Sequence, residues 1–365
     1  MLSHTISPVA SAAHTYFAGS NTASGFVSRY GDIFTESDLD SLIIIKGGPG
    51  TGKNTFMRRL CDRAAASGIT VHAYLCGSDP DSLDALVLRR GKKSAAVIDA
   101  TVPHPFDARY PGSVSQILDL GRFWDKSRLR AMREEIAAHT EAKSQSYTRA
   151  YRYLAALAAV RRDRRIMSEK ALDRDKMKAA CDRFAASLDR FAPVAADTPS
   201  LPHIRIASAA SMDGFCALDI CQKYTRVNVS DPDSAAPAFL ASLAASFATS
   251  DIRFAEVRDA VEPDVIRGLV LDERRLYIAP LSDASPAKTV NLARFLSRDI
   301  LRDNRNKRTF ARRVASAMED GAADALADAG KHHFALEAIY KSAMDFDALN
   351  DVCDKQTDDI LAVFD

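Results

Sequence analysis

Nine consecutive residues, GGPGTGKNT from Gly47 to Thr55, carry the clearest chemistry in this 365-residue chain. Glycines at 47, 48, 50 and 52 let successive backbone N–H groups turn inward around one anion, and a helix starting behind them adds the positive end of its dipole. Lys53 then supplies a point charge that reaches the β- and γ-phosphates of a nucleoside triphosphate. Gly47, Gly48, Pro49, Gly50, Thr51, Gly52, Lys53, Asn54 and Thr55 thus form the expected phosphate cradle. The string departs from the usual form after the lysine, where a Ser or Thr hydroxyl normally binds Mg²⁺. Here that position is Asn54, followed by Thr55, and these two are the metal-ligand candidates on the loop. The expected ligand is ATP or GTP with Mg²⁺.

A carboxylate must complete such a site. Ala95–Asp99 (AAVID) is an apolar run ending in an acid, the form of a strand whose Asp holds Mg²⁺ through water, although a strand-end Asp also serves as a turn or helix cap. Lys53 and Asp99 are the residues expected to carry any catalysis. Ala100 stands where many ATPases have a water-activating Glu, so binding is a safer expectation than fast hydrolysis. Asp79, Asp81 and Asp84 suit either metal or water orientation, or helix-entry capping, and His104 suits either proton transfer and γ-phosphate sensing or a loop contact.

The flanking sequence predicts elements that would position these groups. Ser41–Ile45 (SLIII) reads as a buried parallel strand leading into the loop. Phe56, Leu60 and Ala64, with Met57 and Cys61, share one helical face after it, and Gly68 sits at the expected helix stop. Strand, glycine loop and helix in that order are the context a phosphate-binding loop requires. Cys76–Asp84 follows another strand and falls on the edge of the sheet where α/β proteins bind ligands.

The chain also resembles itself. His14–Phe26 matches His203–Phe215, and between Ser41 and Leu88 a shift of 183 residues leaves 11 of 48 ungapped positions identical, which predicts an internal duplication. A shift of 172 aligns Asp173 with Asp345 and Cys181-Asp182 with Cys353-Asp354. The second loop has lost its chemistry, because Ala235, Ala236 and Pro237 replace Gly52, Lys53 and Asn54, and Asp231 and Asp233 replace Gly48 and Gly50. It should repel phosphate and serve as a scaffold or interaction half. No proline lies between Pro111 and Pro193, and Met177, Cys181, Phe184, Leu188 and Phe191 recur at the seam spacing of packed helices. The expected architecture is α/β: two P-loop-type three-layer α/β/α units in tandem, near 1–125 and 200–290, each followed by helices near 126–199 and 291–365. The first helical stretch is expected to be a hairpin of two long antiparallel helices.

Lys plus Arg (49) nearly cancels Asp plus Glu (48), so no global field draws the chain to nucleic acid or acidic lipid. Nucleic-acid contact would have to be local. Arg161, Arg162, Arg164 and Arg165, expected at the turn of the first hairpin, and Arg305, Lys307, Arg308, Arg312 and Arg313 are the two basic clusters, readable as solvated faces or as anion-contact surfaces. Six cysteines without metal-ligand spacing suit buried, reduced thiols in a cytoplasmic protein, and no apolar run is long enough to cross a bilayer. Trp124, the single tryptophan, is expected in the core.

Several linked strings together resemble a poorly characterised family of bacterial two-repeat P-loop ATPases, sometimes labelled nucleotide kinases. They are KGGPGTGKNTFMRRL (Lys46–Leu60), CGSDPDSLD, VIDATVPHPFDARYPG (Val97–Gly112), LGRFWD (Leu120–Asp125), AYRYL (Ala150–Leu154) and HFALEAIYKSAMDFDAL (His333–Leu349). The resemblance implies ATP binding on the first repeat. In that family the lysine is typically followed by Ser or Thr, and the second repeat often keeps its glycine loop. Both departures here point to one site with slow turnover or a nucleotide-controlled switch. A phosphotransferase and a nucleotide-retaining scaffold are the alternatives, with a protein partner on the helical regions.

Overall fold

The computed structural model describes residues 4–188, 201–220, 224–281 and 286–365. In chain order the first half holds β1 (His4–Ile6), β2 (His14–Phe17), β3 (Gly19–Thr22), β4 (Gly25–Ser28), α1 (Tyr30–Ile33), β5 (Ser41–Lys46), α2 (Lys53–Ala66), β6 (Thr70–Leu75), β7 (Leu83–Arg90), β8 (Lys93–Asp99) and β9 (Ser115–Asp119). Three helices follow: α3 (Lys126–Ala131), α4 (Arg133–Ala171) and α5 (Arg174–Ala186). The second half holds β10 (Ile204–Ile206), β11 (Ser208–Ser211), β12 (Gly214–Leu218), β13 (Thr225–Ser230), α6 (Ala236–Thr249), β14 (Ala255–Arg258), β15 (Ile266–Leu271), β16 (Leu276–Ala279) and β17 (Lys288–Asn291). It ends in α7 (Arg298–Asp303), α8 (Arg305–Ser342) and α9 (Phe346–Leu361).

The chain is mixed α/β, with two six-stranded sheets ordered β2-β6-β7-β8-β5-β9 and β10-β14-β15-β16-β13-β17. In the first, β5 lies parallel to both neighbours, β8 and β9, while β7 runs antiparallel to β6 and β8. In the second, β13 is parallel to β16 and β17, and β15 is antiparallel to β14 and β16. The β-branched run Ile43–Ile45 is buried in β5, as two-sided covering of a parallel strand demands. Behind it α2 buries Phe56, Met57, Leu60, Cys61 and Ala64, and stops at Ser67 with Gly68 at φ +73°, the left-handed stop that glycine permits. Helices α2 and α6 fall 183 residues apart at both ends.

Two compact units partition the chain, and neither is contiguous. The loop unit comprises Leu2–Tyr151, Ser208–Leu218 and Ala322–Asp365; the second unit comprises Arg152–Ala207 and Asp219–Gly321. Each therefore combines a sheet from one half with helices from the other. In the loop unit α9 lies along α2, where Arg63 meets Asp358 at 2.7 Å and Arg59 pairs with Asp354. In the second unit α5 lies against α6, sharing one apolar cluster that contains Met177, Cys181, Phe184, Phe239, Leu243 and Phe247. The entries to the two helices are alike. Asp345 caps α9 by accepting from Ala348 N and donates its own N–H to Phe123 O; Asp173 caps α5 by accepting from Lys176 N and donates its N–H to Phe295 O.

This corrects the helical expectation. Residues 133–171 form one unbroken helix, so the arginines 161–165 sit on its body and not at a turn, and α5 is a short helix packed on α6. The seam residue Phe191 and the sixth cysteine, Cys221, lie outside the described residues; the other five cysteines are free, four of them buried. Among the described residues no helix is long and apolar enough to cross a membrane.

Candidate functional site

The loop leaves β5 at Lys46 and enters α2 at Lys53. Register pairs Ile45 with Asp99, so the carboxylate arrives level with the loop's start on the neighbouring strand. Lys53 Nζ donates to Gly47 O at 2.8 Å and Gly48 O at 2.7 Å and stands 3.5 Å from Asp99 Oδ2. Gly52 occupies the N-cap position of α2 at φ +82° and brings no side-chain acceptor, so the first-turn N–H groups remain available to an external anion. Thr51 is buried and donates to Gly48 O at 2.9 Å. Gly48 and Pro49 are half-buried, and Thr55 is exposed on the first turn of α2.

Asn54, a metal-ligand candidate on the loop, makes three hydrogen bonds within the protein. Its amide oxygen accepts from Leu83 N at 3.2 Å and Arg58 Nε at 3.1 Å, and its nitrogen donates to Asp81 O at 3.2 Å. The amide thus ties α2 to the 81–83 turn directly, and holds Arg58 of the same helix, whose guanidinium also donates to Asp81 O. Asp99, 7% exposed, keeps Oδ2 toward Lys53 while Oδ1 accepts from Thr101 N and Oγ1 at 3.0 and 2.7 Å. It is thus both a turn cap and the acid of the site. No group of three or more His, Cys, Asp or Glu among the described residues is arranged to hold a metal. A cation here would share Asp99 with the ligand's phosphate oxygens, the usual arrangement for Mg²⁺.

Asp79 serves its own turn, accepting from Asp81 N at 3.3 Å and Ser82 Oγ at 2.5 Å. Asp84 and His104 belong to a buried network that reaches Asp99: Nε2 of His104 lies 3.3 Å from Asp84 Oδ2, and the Tyr30 hydroxyl bonds Asp99 O at 2.6 Å. His104 is 4% exposed. Burial works against its protonation, but the Asp84 carboxylate, with Asp99 behind it, outweighs burial and lifts its pKa above the ordinary 6.5. Such a raised group stabilises the fold fully below pH 6.5, and that contribution disappears as pH rises through the folded-state value. Melting temperature measured from about pH 6 to about pH 8 should therefore fall more in the wild type than in His104→Gln; parallel profiles would contradict the charged pair.

What covers the loop comes from α8 and α9, far along the chain. A Cβ on Gly50, at φ +74°, would stand 2.6 Å from Glu337 O of α8, and one on Gly52 would meet Leu349 of α9 at 2.9 Å. Trp124, expected in the core, is half-buried with its ring 3.3 Å from the Cβ position of Gly48 and 5.2 Å from the Tyr340 ring. Burial lowers the pKa of His333 on α8, and the charges of Lys143 on α4 and Lys53 act in the same direction, against Asp79 and Glu337. Burial also lowers that of Lys143. His333 falls in a string noted above for its resemblance, but nothing marked Lys143.

In the second unit, the loop between β13 and α6 is bound up by its own acid. The Asp231 carboxylate accepts from Ala235 N at 2.7 Å, Ala236 N at 3.0 Å and Asp233 N at 3.3 Å, so the chain's own acid sits where backbone donors would otherwise hold an anion. No family model, curated protein or solved structure matches the chain. What the site can do follows from its own groups: a cradle of free amides, a lysine and a carboxylate at one strand-to-helix junction.

Proposed function

We propose that the Gly47–Thr55 loop binds the triphosphate of ATP or GTP with Mg²⁺, as a P-loop site of which this chain has one. The observation that carries the reading is Lys53 Nζ held between two loop carbonyls and 3.5 Å from Asp99, at the uncapped start of α2. Phosphate oxygens in the cradle would draw the lysine off the carbonyls, and Asp99 would take the cation. The shared strand order and pairing of the two sheets support a duplicated three-layer P-loop-type unit, in keeping with the resemblance to two-repeat P-loop ATPases. A cytoplasmic protein that turns over slowly or acts as a nucleotide-controlled switch fits best. Asn54 is committed to the 81–83 turn, Ala100 offers no base, and His104 is buried, so water activation has no evident agent. The contacts of Gly50 with α8 and Gly52 with α9 would transmit occupancy of the loop to the helices that cover it and to any protein partner on them.

Calorimetric titration with Mg-ATP and Mg-GTP should give one nucleotide per chain, because Asp231 fills the second loop. Two equivalent sites, or none, would overturn the reading.

A further inference from the structure

The two basic clusters separate into different kinds of surface. On α4, Arg165 makes a two-pronged contact with Glu262 at 2.9 and 2.5 Å, and Arg161 meets Glu319 at 2.7 Å and Asp259 at 3.5 Å. Those charges are spent inside the second unit. The segment Arg298–Arg313 is different: it carries seven basic residues against Asp299 and Asp303 in a chain of net charge +1. Five of them, Arg298, Arg302, Arg305, Arg308 and Arg312, line an open depression of about 590 Å³ together with Leu301 and Thr309.

Arg302 pairs with Asp299 at 3.0 Å on the surface, and Arg308 pairs with Asp233. Among the described residues, no carboxylate lies within ion-pair distance of Arg298, Arg305 or Arg312, all three exposed. Arg164, half-buried on α4, joins them through a smaller adjoining cavity that it lines with Pro232, Asp233, Arg308 and Arg312. Burial, and then the neighbouring charge of Arg312, lowers the pKa of both Arg164 and Arg308. Asp231 and Glu319 oppose the effect at Arg164, whereas Arg298, Arg305 and Arg312 present their guanidinium groups to solvent along the depression, open to an external anion. Arg305, Arg308 and Arg312 follow one face of α8 at steps of three and four, a row about 10 Å long. Guanidinium forks suit phosphate oxygens, and such an open row suits successive phosphates of a polymer better than one enclosed small ligand.

We propose that this arginine-lined depression in the second unit binds the phosphate backbone of a nucleic acid. No aromatic ring is among its lining residues, so it offers no platform for stacking and reads no base. The site is separate from the Gly47–Thr55 loop and does not depend on what that loop binds.

Fluorescence anisotropy with labelled single-stranded and duplex oligonucleotides of unrelated sequence tests this. Binding should be similar across sequences and should weaken steeply between about 50 and 200 mM salt. The exposed, unpaired positions allow Arg305→Ala/Arg312→Ala to fold normally, checked by circular dichroism melting. That double variant should weaken binding at least about tenfold at low salt and reduce the logarithmic salt slope by about 1 to 2, while Arg162→Ala on α4 changes neither. Charge reversal, Arg305→Glu/Arg312→Glu, should abolish binding. Absence of oligonucleotide binding, or binding indifferent to the double variant, would overturn the proposal. So would tripolyphosphate or poly-glutamate binding as well as the oligonucleotides, since either marks a general anion site.

Discussion

Saturating Mg-ATP or Mg-GTP should raise the melting temperature of the wild-type chain by several degrees and leave Lys53→Ala where it was. A ligand at 100 times its dissociation constant adds about 2.7 kcal/mol to the state that binds it. For a unit of this size that corresponds to a shift on the order of 5 to 10 °C. The lysine is the one cation within ion-pair distance of Asp99 among the described residues, so without it the cradle must hold three phosphates against an unbalanced carboxylate. Lys53→Ala should also lower the unliganded melting temperature slightly, because Gly47 O loses its donor and Gly48 O keeps only the Thr51 hydroxyl, a change of about 1 kcal/mol for such bonds. The ligand-induced shift is therefore the quantity to compare. Equal shifts in the two proteins would remove the loop from consideration as the site.

Arg165→Ala should cost the second unit about 3 to 5 kcal/mol, the usual penalty when a buried ion pair loses one member. Glu262 is buried, and both of its carboxylate oxygens face the two terminal nitrogens of Arg165, so truncation strands a full charge away from water. Arg162→Ala, three residues earlier on the same helix, removes an exposed side chain and should stay within about 0.5 kcal/mol. Replacing Arg165 and Glu262 together with apolar residues should recover much of the loss, because the stranded charge goes with its partner. Urea denaturation of the four proteins distinguishes these outcomes. If Arg165→Ala were no worse than Arg162→Ala, the pairing would not be a structural element.

The elements that hold the phosphate loop were legible because their instructions are local. The run Leu42–Ile45, the glycines, the apolar face from Phe56 to Ala64 and the stop at Gly68 each specify their own backbone. The run Ala95–Asp99 was equally plain. Longer-range facts were not. Nothing in the sequence told the antiparallel β7 from its parallel neighbours, because a doubly buried strand is apolar in either direction. The apolar positions Met177, Cys181 and Phe184 fit any facing seam, and their true partner, α6, begins 52 residues after Phe184. The same limit hid the role of Asn54: the motif says which atom usually sits there, while the Leu83 and Asp81 backbone groups that engage it come from a turn almost thirty residues away. Four arginines spaced within five residues looked like one patch, yet on a helix they face different ways, and Arg161 and Arg165 point at carboxylates more than ninety residues distant in the chain.

Synthesis on the ribosome meets these pieces in an awkward order. The second unit has all its segments once Gly321 has emerged, but the loop unit waits for Ala322–Asp365. At about 5 to 20 residues per second, α9 follows α2 by roughly 15 to 60 s. For that interval Gly50 and Gly52 lack the helices that later press on them, and the face of α2 bearing Arg59 and Arg63 has no counterpart. The nascent sheet must hold itself together, or be held, until α9 is made. The loop unit is begun before Arg152 of the second unit and closed only after its Gly321.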